Sequence, residues 1–174
     1  MEDKEMTEVA SETKYGKYFV EYDPQRWPNE RRPVIARMDD TVIKGSNFYL
    51  VHWVLPHSSP LPHYAFAGHP PHIHKDAELL FHIGTNPDDP TDLGAVVEFY
   101  MGPEMERHII TKSTVVYIPP NFVHAPWLPL KTYRPWIFIE VNQGPMHTEK
   151  SYRQLLPESV REKIDWSRWP DEGF

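Results

Sequence analysis

The chain has no cysteine, and glycine is scarce beside proline: eight glycines stand against nineteen prolines in 174 residues. Without cysteine there are neither disulfides nor thiolate ligands, so any bound metal must be held by nitrogen and oxygen atoms. Frequent prolines interrupt regular structure, because proline lacks the backbone N–H that helices and central strands use. The composition therefore favours short strands joined by stiff turns over long helices.

Long apolar runs and basic clusters are missing as well. No stretch approaches the roughly 18 to 20 apolar residues that a membrane helix requires, so no membrane partner is expected. The formal net charge is −7, and without a run of basic residues the chain offers no surface for nucleic acid. The polar, acidic start MEDKEMTEVASETK does not resemble a signal peptide, so the expected location is cytoplasmic.

The chain does contain many short segments with strand-like apolar patterns. The clearest, NFYLVHWVL (47–55), is apolar on both alternating faces and predicts a strand that is covered on both sides. PESVREKIDW (157–166) alone has a helical pattern, with Pro157 at a first-turn position. About eight short strands between turn residues predict an all-β sandwich or small barrel. The other predicted strands are 17–22, 33–38, 77–83, 95–101, 107–111, 114–119 and 135–141.

Four of the ten histidines lie within HPPHIHKDAELLFHIG (69–84). His72 and His74 are two residues apart and share one face if the segment is extended. Glu78 follows four residues later, and a second fragment, VVYIPPNFVHAPW (115–127), ends one strand at a double proline and starts the next near His124. Three imidazoles and one carboxylate suit one divalent Fe, Mn, Ni, Co or Zn ion.

These two fragments resemble the paired signature motifs of the cupin superfamily. The resemblance covers roughly residues 45–142 and implies a single cupin-type β-barrel, or jelly-roll, in which the four matching residues His72, His74, Glu78 and His124 bind the metal. Asn121 stands where the family usually has glycine, and asparagine can adopt the same left-handed backbone. The matching residues are H-x-H-x3-E-x5-G at His72, His74, Glu78 and Gly84, and P-P-x-x-x-H at Pro119, Pro120 and His124.

The sequence as a whole predicts a flexible arm at 1–14, the cupin β-barrel domain at 15–145, and a C-terminal extension with a short helix at 146–174. Two alternatives to a cupin metal site stay open for the histidines. One is a histidine-rich surface loop without metal. The second is a three-histidine zinc site like that of carbonic-anhydrase-like sheets, which requires a longer chain and leaves Glu78 without a role.

Other polar and aromatic residues are candidates for the pocket. His82 shares its strand face with Glu78, and His52 lies mid-strand among apolar neighbours; each is either a core histidine or a proton-transfer group. Glu98 is either solvent-exposed or a pocket carboxylate. The remaining pocket candidates, for each of which simple packing is the alternative, are Tyr100, Tyr117 and Trp127. The loop histidines expected to be solvated are His57, His63, His69 and His147.

Four protein ligands on a six-coordinate ion leave two positions for water, a bidentate substrate, or substrate with dioxygen, and such an open site is typical of catalytic metals. The leading hypothesis is a dioxygenase, most simply with iron, acting on a small apolar or aromatic molecule. A non-redox lyase, isomerase or decarboxylase and a non-catalytic ligand-binding cupin are the alternatives. A homodimer is expected, with strands of the segment 15–38 pairing across a two-fold axis.

Overall fold

The strands of the molecule alternate between inward and outward side chains along most of their length. The computed structural model describes residues 14–21, 23, 32–56, 70–164 and 166–168. The strands are β1 (Val34–Met38), β2 (Phe48–Val54), β3 (His72–Ile73), β4 (Glu78–Ile83), β5 (Asp92–Met101), β6 (Glu106–Lys112), β7 (Thr114–Ile118), β8 (His124–Thr132), β9 (Trp136–Asn142) and β10 (Lys150–Ser151). One short α-helix, α1 (Glu158–Arg161), and three 3-10 helices, Gly16–Tyr18, Arg153–Leu155 and Trp166–Arg168, complete the described elements.

Two five-stranded sheets form the body of the fold. Sheet A has the order β1-β2-β9-β4-β7, and sheet B has the order β10-β3-β8-β5-β6. Neighbouring strands are antiparallel throughout both sheets. Strands distant in sequence are neighbours in each sheet, which is the jelly-roll arrangement of a cupin-type fold. The fold class predicted from the sequence is therefore confirmed.

The core lies between the two sheets and follows from strand alternation. In β9 every second residue is buried, starting with Trp136 and Phe138, and β4 buries Glu78, Leu80 and His82 in the same way. The buried residues of β9 change from aromatic at Trp136 and Phe138 to polar at Glu140 and Asn142, and Asn142 pairs with Glu78 of β4. One end of the core is therefore rich in aromatic residues, and the other carries the polar site. The buried core cluster consists of Val54, Leu80, Leu93, Ala95, Val97, Phe99, Ile110, Ile118, Trp127, Trp136 and Phe138.

Two predicted elements differ from the structure. The segment 17–22 is not a strand over its described part: Gly16–Tyr18 forms a 3-10 turn, and residues 19–21 belong to no regular element. The helix predicted for 157–166 is confirmed only over Glu158–Arg161. Beyond it, the backbone N–H groups of Lys163 and Ile164 donate to carbonyls three residues earlier, as in a turn, and not four residues earlier, as in an α-helix. Within the described ranges, no helix is long and apolar enough to cross a membrane.

The chain after residue 145 contributes to sheet B. Lys150 and Ser151 of β10 pair with Ile73 and His72 of β3, so the segment assigned to the C-terminal extension supports the strand that carries the first motif. Residues 1–13 of the expected arm lie outside the described residues, and so do His57, His63 and His69.

Candidate metal centre

The four motif side chains meet inside the barrel at the end of the core that carries the polar groups. His72 lies directly opposite His124 in the β3–β8 pair, and Glu78 starts β4 on the facing sheet. The turn of the second motif is tied to the first motif, since the backbone N–H of Asn121 donates to the carbonyl of His74 over 2.8 Å. Asn121 has φ 58°, the left-handed conformation expected where the family has glycine.

The ligand atoms of these side chains converge on one point. His72 Nε2 and His74 Nε2 are 3.2 Å apart. Glu78 Oε1 lies 3.3 Å from His74 Nε2, and Glu78 Oε2 lies 3.1 Å from His124 Nε2. All four side chains are buried, so the cluster is removed from bulk water.

Each imidazole is oriented by a hydrogen bond at its other nitrogen. Nδ1 of His72 donates to the carbonyl of Pro70 over 2.6 Å, and Nδ1 of His124 donates to the carbonyl of Phe122 over 3.0 Å. Nδ1 of His74 donates to the carbonyl of Thr148. A carbonyl only accepts, so Nδ1 must carry a proton in each ring, and Nε2 can present a lone pair to the centre.

The Glu78 carboxylate is also held in place. Asn142 lies opposite Glu78 in the β4–β9 pair, and its amide donates to Glu78 Oε1 over 3.1 Å. Burial by itself would raise the pKa of Glu78, but interactions with the His124 and His74 imidazoles hold that pKa well below its usual value. Glu78 is thus ionised at neutral pH, which is the form that binds a metal.

This donor set fits a divalent cation. One nitrogen from each of His72, His74 and His124 lies within 4.8 Å of the others. Nε2 of His124 is buried and makes no well-aligned hydrogen bond within the described structure, and a metal bond would satisfy such an atom. Three neutral imidazoles and one carboxylate carry a single negative charge, which partly balances a 2+ ion.

A cavity of about 200 Å³ opens beside the cluster. Its apolar wall includes Leu80, Phe99, Trp127 and Phe138. This volume is below the 300 to 1,000 Å³ typical of drug-sized ligand sites, so the cavity suits a small molecule.

The cavity also contains three polar residues that sequence reasoning did not assign to the site: Arg32, Glu140 and His147. His147 was expected to be solvated, but this expectation is wrong. Its side chain is largely buried, with Nε2 3.1 Å from Glu140 Oε1 and its ring 4.6 Å from that of His74. Burial by itself would lower the pKa of His147, but the hydrogen bond with Glu140 raises it above the usual value.

The two histidines proposed for proton transfer occupy different places. His52 lines the cavity, and its Nδ1 donates to the carbonyl of Trp53 over 3.2 Å. His82 is fully buried behind the wall, where it accepts a hydrogen bond from Trp127 Nε1 over 2.9 Å. Burial lowers the pKa of each to about 4, so both are neutral at pH 7 and are weak proton acceptors there.

Of the four other pocket candidates, the structure brings Trp127 alone to the cavity. Phe99 lines the cavity from β5, so its neighbours Glu98 and Tyr100 lie on the opposite face of the strand, where Glu98 is buried and is neither solvent-exposed nor a pocket carboxylate. There the Tyr100 hydroxyl donates to Glu98 Oε1, and Arg107 donates to Glu98 Oε2 over 2.8 Å. Tyr117 is 56% exposed on the outer face of sheet A. The interpretation of these three residues as pocket residues is therefore corrected.

No family model and no curated protein matches the chain. Among solved structures, one of Bacillus subtilis oxalate decarboxylase described by its Mn(II) centres matches with a TM-score of 0.46 and 18% identity, over 79% of this chain and 33% of that chain. A mutant of the same decarboxylase matches with a TM-score of 0.48 and 17% identity, over 84% of this chain and 37% of that chain. Hydroxypropylphosphonic acid epoxidase from S. wedmorenis, in complex with fosfomycin, matches with a TM-score of 0.42 and 15% identity, over 71% and 59%. The chain therefore spans about a third of the length of the decarboxylase chains that it matches.

Proposed function

We propose that the chain is a metal-dependent enzyme that converts a small, largely apolar or aromatic molecule in the cavity beside His72, His74, Glu78 and His124, with oxygenation as the leading reaction. The observation that carries this proposal is the set of three carbonyl-tethered imidazoles. Packing alone does not require three imidazole rings to be held in one tautomer with their Nε2 atoms directed at one carboxylate, whereas a metal site does. Iron is the leading candidate for the ion, and Mn, Ni, Co and Zn fit the same donor set.

A bound divalent ion supplies Lewis acidity to a substrate oxygen and, if it is iron, redox chemistry as well. The protein supplies position and an apolar wall. Phe99, Trp127 and Phe138 line the space beside the cluster, and an apolar wall strengthens electrostatic interactions next to it. Asn142 keeps the Glu78 carboxylate directed at the centre, so the donor set is arranged before any ion binds.

The neutral His52 presents a second kind of polar contact. Because its Nδ1 is bonded to the carbonyl of Trp53, its Nε2 carries the lone pair and can accept a hydrogen bond from a substrate hydroxyl. With a pKa of about 4, His52 orients such a hydroxyl without removing its proton at pH 7.

The experiment is a turnover assay of the protein loaded in turn with Fe, Mn, Ni, Co and Zn, with phenols and small carbonyl compounds as substrates, under air and under anaerobic conditions. Oxygenation predicts that the iron-loaded protein consumes substrate and dioxygen together and is inactive without oxygen. Substrate consumption that persists anaerobically would move the reaction to a lyase, isomerase or decarboxylase. Tight substrate binding with no turnover in either atmosphere would make the protein a non-catalytic binder.

A further inference from the structure

Two consecutive strands, β6 and β7, form one side of the sandwich. β6 is the outermost strand of sheet B and β7 is the outermost strand of sheet A, and Ser113 alone separates them in the chain. Because stacked sheets lie about 10 Å apart, the two strands must diverge from this residue onward. A groove of about 500 Å³ lies at this corner and is lined by residues of β5, β6 and β7, among them Met101, Ile110 and Val116. We call it the corner groove.

The corner groove opens onto the inner faces of both sheets. Val116 of β7 pairs with the buried Leu80 of β4, and Ile110 of β6 pairs with the core residue Val97 of β5. Residues paired across neighbouring strands point to the same side of a sheet, so Val116 and Ile110 both point toward the core. Met101 and Val116 are partly buried and pack against the core cluster. The corner groove is therefore a gap in the side of the sandwich.

The corner groove lies close to the metal centre. Met101 of β5 pairs with His124 of β8, and Ile118 of β7 pairs with Glu78 of β4. Each of these two ligands is therefore one strand away from a strand that lines the corner groove. Neighbouring strands are about 4.8 Å apart, so the backbone of His124 lies about 10 Å from the edge of sheet B at β6.

Phe99 stands between the corner groove and the cavity beside the metal cluster. It lines both spaces, and only 1% of its surface is exposed. The centre of its ring is 6.2 Å from that of the His124 ring. Although protein interiors are close-packed, their side chains do change rotamer. A displacement of this one side chain would join the corner groove to the cavity.

The lining of the corner groove becomes apolar toward Phe99. Its two residues on β5, one strand in from the edge of sheet B, are Phe99 and Met101, whereas its polar residues all belong to the outermost strands. A charged molecule would lose its hydration on this path without gaining a partner, which is costly. A small apolar molecule loses little, and apolar spaces in proteins take up such molecules. The polar residues are His108, Thr111, Lys112 and Thr114.

Dioxygen is the small apolar reactant of the proposed oxygenation. A substrate that fills the cavity of about 200 Å³ blocks that cavity as a path for a second molecule. We propose that dioxygen reaches the metal centre through the corner groove, and that Phe99 is the side chain that moves to admit it. This inference rests on the proposed function, since it concerns the path of a reactant of oxygenation.

Xenon binding to crystals of the protein tests the route without any turnover. Xenon is apolar and scatters anomalously, so we expect a peak between Met101, Ile110 and Val116. Val116→Trp fills this space and should abolish the peak. Val115→Trp adds the same indole on the opposite face of β7, at a residue 53% exposed, and should keep it. No xenon in the corner groove of the wild type, or a peak that persists in Val116→Trp, would overturn the inference.

Nitric oxide tests the passage to the metal, because it is a diatomic molecule that binds Fe(II) as dioxygen does. Its association rate with the iron-loaded protein is measured by stopped-flow absorbance in the absence of oxygen. Val116→Trp should slow association at least about ten-fold, because an indole packed in the corner groove must be displaced at each entry. Phe99→Leu, which removes part of the barrier, should speed association, and Val115→Trp should leave it unchanged.

Azide, a charged metal ligand, provides the comparison. Its binding to cobalt-loaded protein, followed by visible absorption, should have the same rate in the wild type and in Val116→Trp, because an apolar path excludes charge. Equal nitric oxide rates in these two proteins would overturn the inference. Equal slowing of azide and nitric oxide would overturn it as well, since it would show a distorted metal site.

Oxygen consumption is measured on the same samples. Nitric oxide entry that depends on Val116, in a protein that consumes no dioxygen with any substrate, would refute the proposed oxygenation and keep the route. Oxygen consumption at the wild-type rate in Val116→Trp at limiting dioxygen would refute the route and keep the oxygenation.

Discussion

Trp127 donates its indole N–H to Nε2 of His82 over 2.9 Å, and this bond joins a wall of the cavity to a fully buried histidine behind it. The accepting nitrogen must be unprotonated, which agrees with the lowering of the His82 pKa to about 4 by burial. His82 therefore holds Trp127 in the wall of the cavity and is not itself one of the residues that line it.

This bond predicts acid sensitivity of the fold. Burial lowers the pKa of His82 from its ordinary value of 6.5 to about 4 in the folded chain. The unfolded chain therefore binds a proton more readily than the folded chain between these pH values. The contribution of neutral His82 to the free energy of unfolding is fully present above about pH 6.5 and is lost as the pH falls toward 4. His82→Gln retains an acceptor for Trp127 but cannot take up a proton. Between pH 7.5 and 4.5, the free energy of unfolding of the variant should fall by about 2 to 3 kcal/mol less than that of the wild type. Urea denaturation at the two pH values checks this, and equal losses in both proteins would contradict it.

Removal of one ligand should empty the metal centre. His124→Ala deletes a nitrogen that has no well-aligned hydrogen bond in the described structure, so the metal bound per chain should fall at least about ten-fold after dialysis. His108→Ala on β6, where the side chain is 47% exposed, serves as the control and should keep wild-type metal content. Inductively coupled plasma mass spectrometry measures the amount of metal bound per chain in each variant. Unchanged metal in His124→Ala would place the site elsewhere.

Metal binding should release a proton. Burial by itself would lower the pKa of His74, but the hydrogen bond with Glu78 raises it to about 9 in the metal-free protein. At pH 7.5 the incoming ion must therefore displace about one proton, and affinity should weaken by up to about ten-fold per pH unit below 9. Calorimetry in HEPES and in Tris, which have different ionisation enthalpies, counts the protons. Tight binding with no buffer dependence of the enthalpy would show that His74 is not a ligand.

Gly84 should resist substitution because the backbone is packed against it. A Cβ at this position would lie 2.1 Å from the carbonyl oxygen of Asp92, so Gly84→Ala must displace backbone and should cost at least about 2 kcal/mol of unfolding free energy. At Gly45 a Cβ meets nothing within 4 Å, and only the φ of +88° is unfavourable, which costs about 1 kcal/mol. Chemical denaturation compares the two variants, and a smaller loss at Gly84 than at Gly45 would contradict this account.

The sequence predicts best what depends on local pattern. The apolar runs of β2, β4 and β9 predict the strands. They do not predict which face is buried, because both faces of each strand carry apolar residues. The ligand cluster was also predictable, because the two motifs resemble the paired cupin motifs and that resemblance implies that His124 joins the residues of the first motif. These are the residues His72, His74, Glu78 and His124.

The positions of residues that depend on pairing between distant strands could not be predicted from the sequence. Arg32 lies just before β1, and the register of β1 with β2 cannot be read from composition. His147 is largely buried because the fold brings it against Glu140 of β9 and the ring of His74. The full length of β8 was not predicted, because Pro126 and Pro129 lie within it and proline is rare in central strands. Register shifts between β5 and β8 accommodate this strand.

Anomalous diffraction from crystals grown with Fe(II) or Mn(II) tests the central claim most directly. The account predicts one anomalous peak about 2.0 to 2.3 Å from Nε2 of His72, His74 and His124 and from a carboxylate oxygen of Glu78. A nearby alternative group, His74, Glu78 and His147, also lies within 4.8 Å. An ion bound to this alternative group, without contact to His72 and His124, would contradict the account. A well-diffracting crystal grown with the metal that shows no anomalous peak at the cluster would contradict it as well.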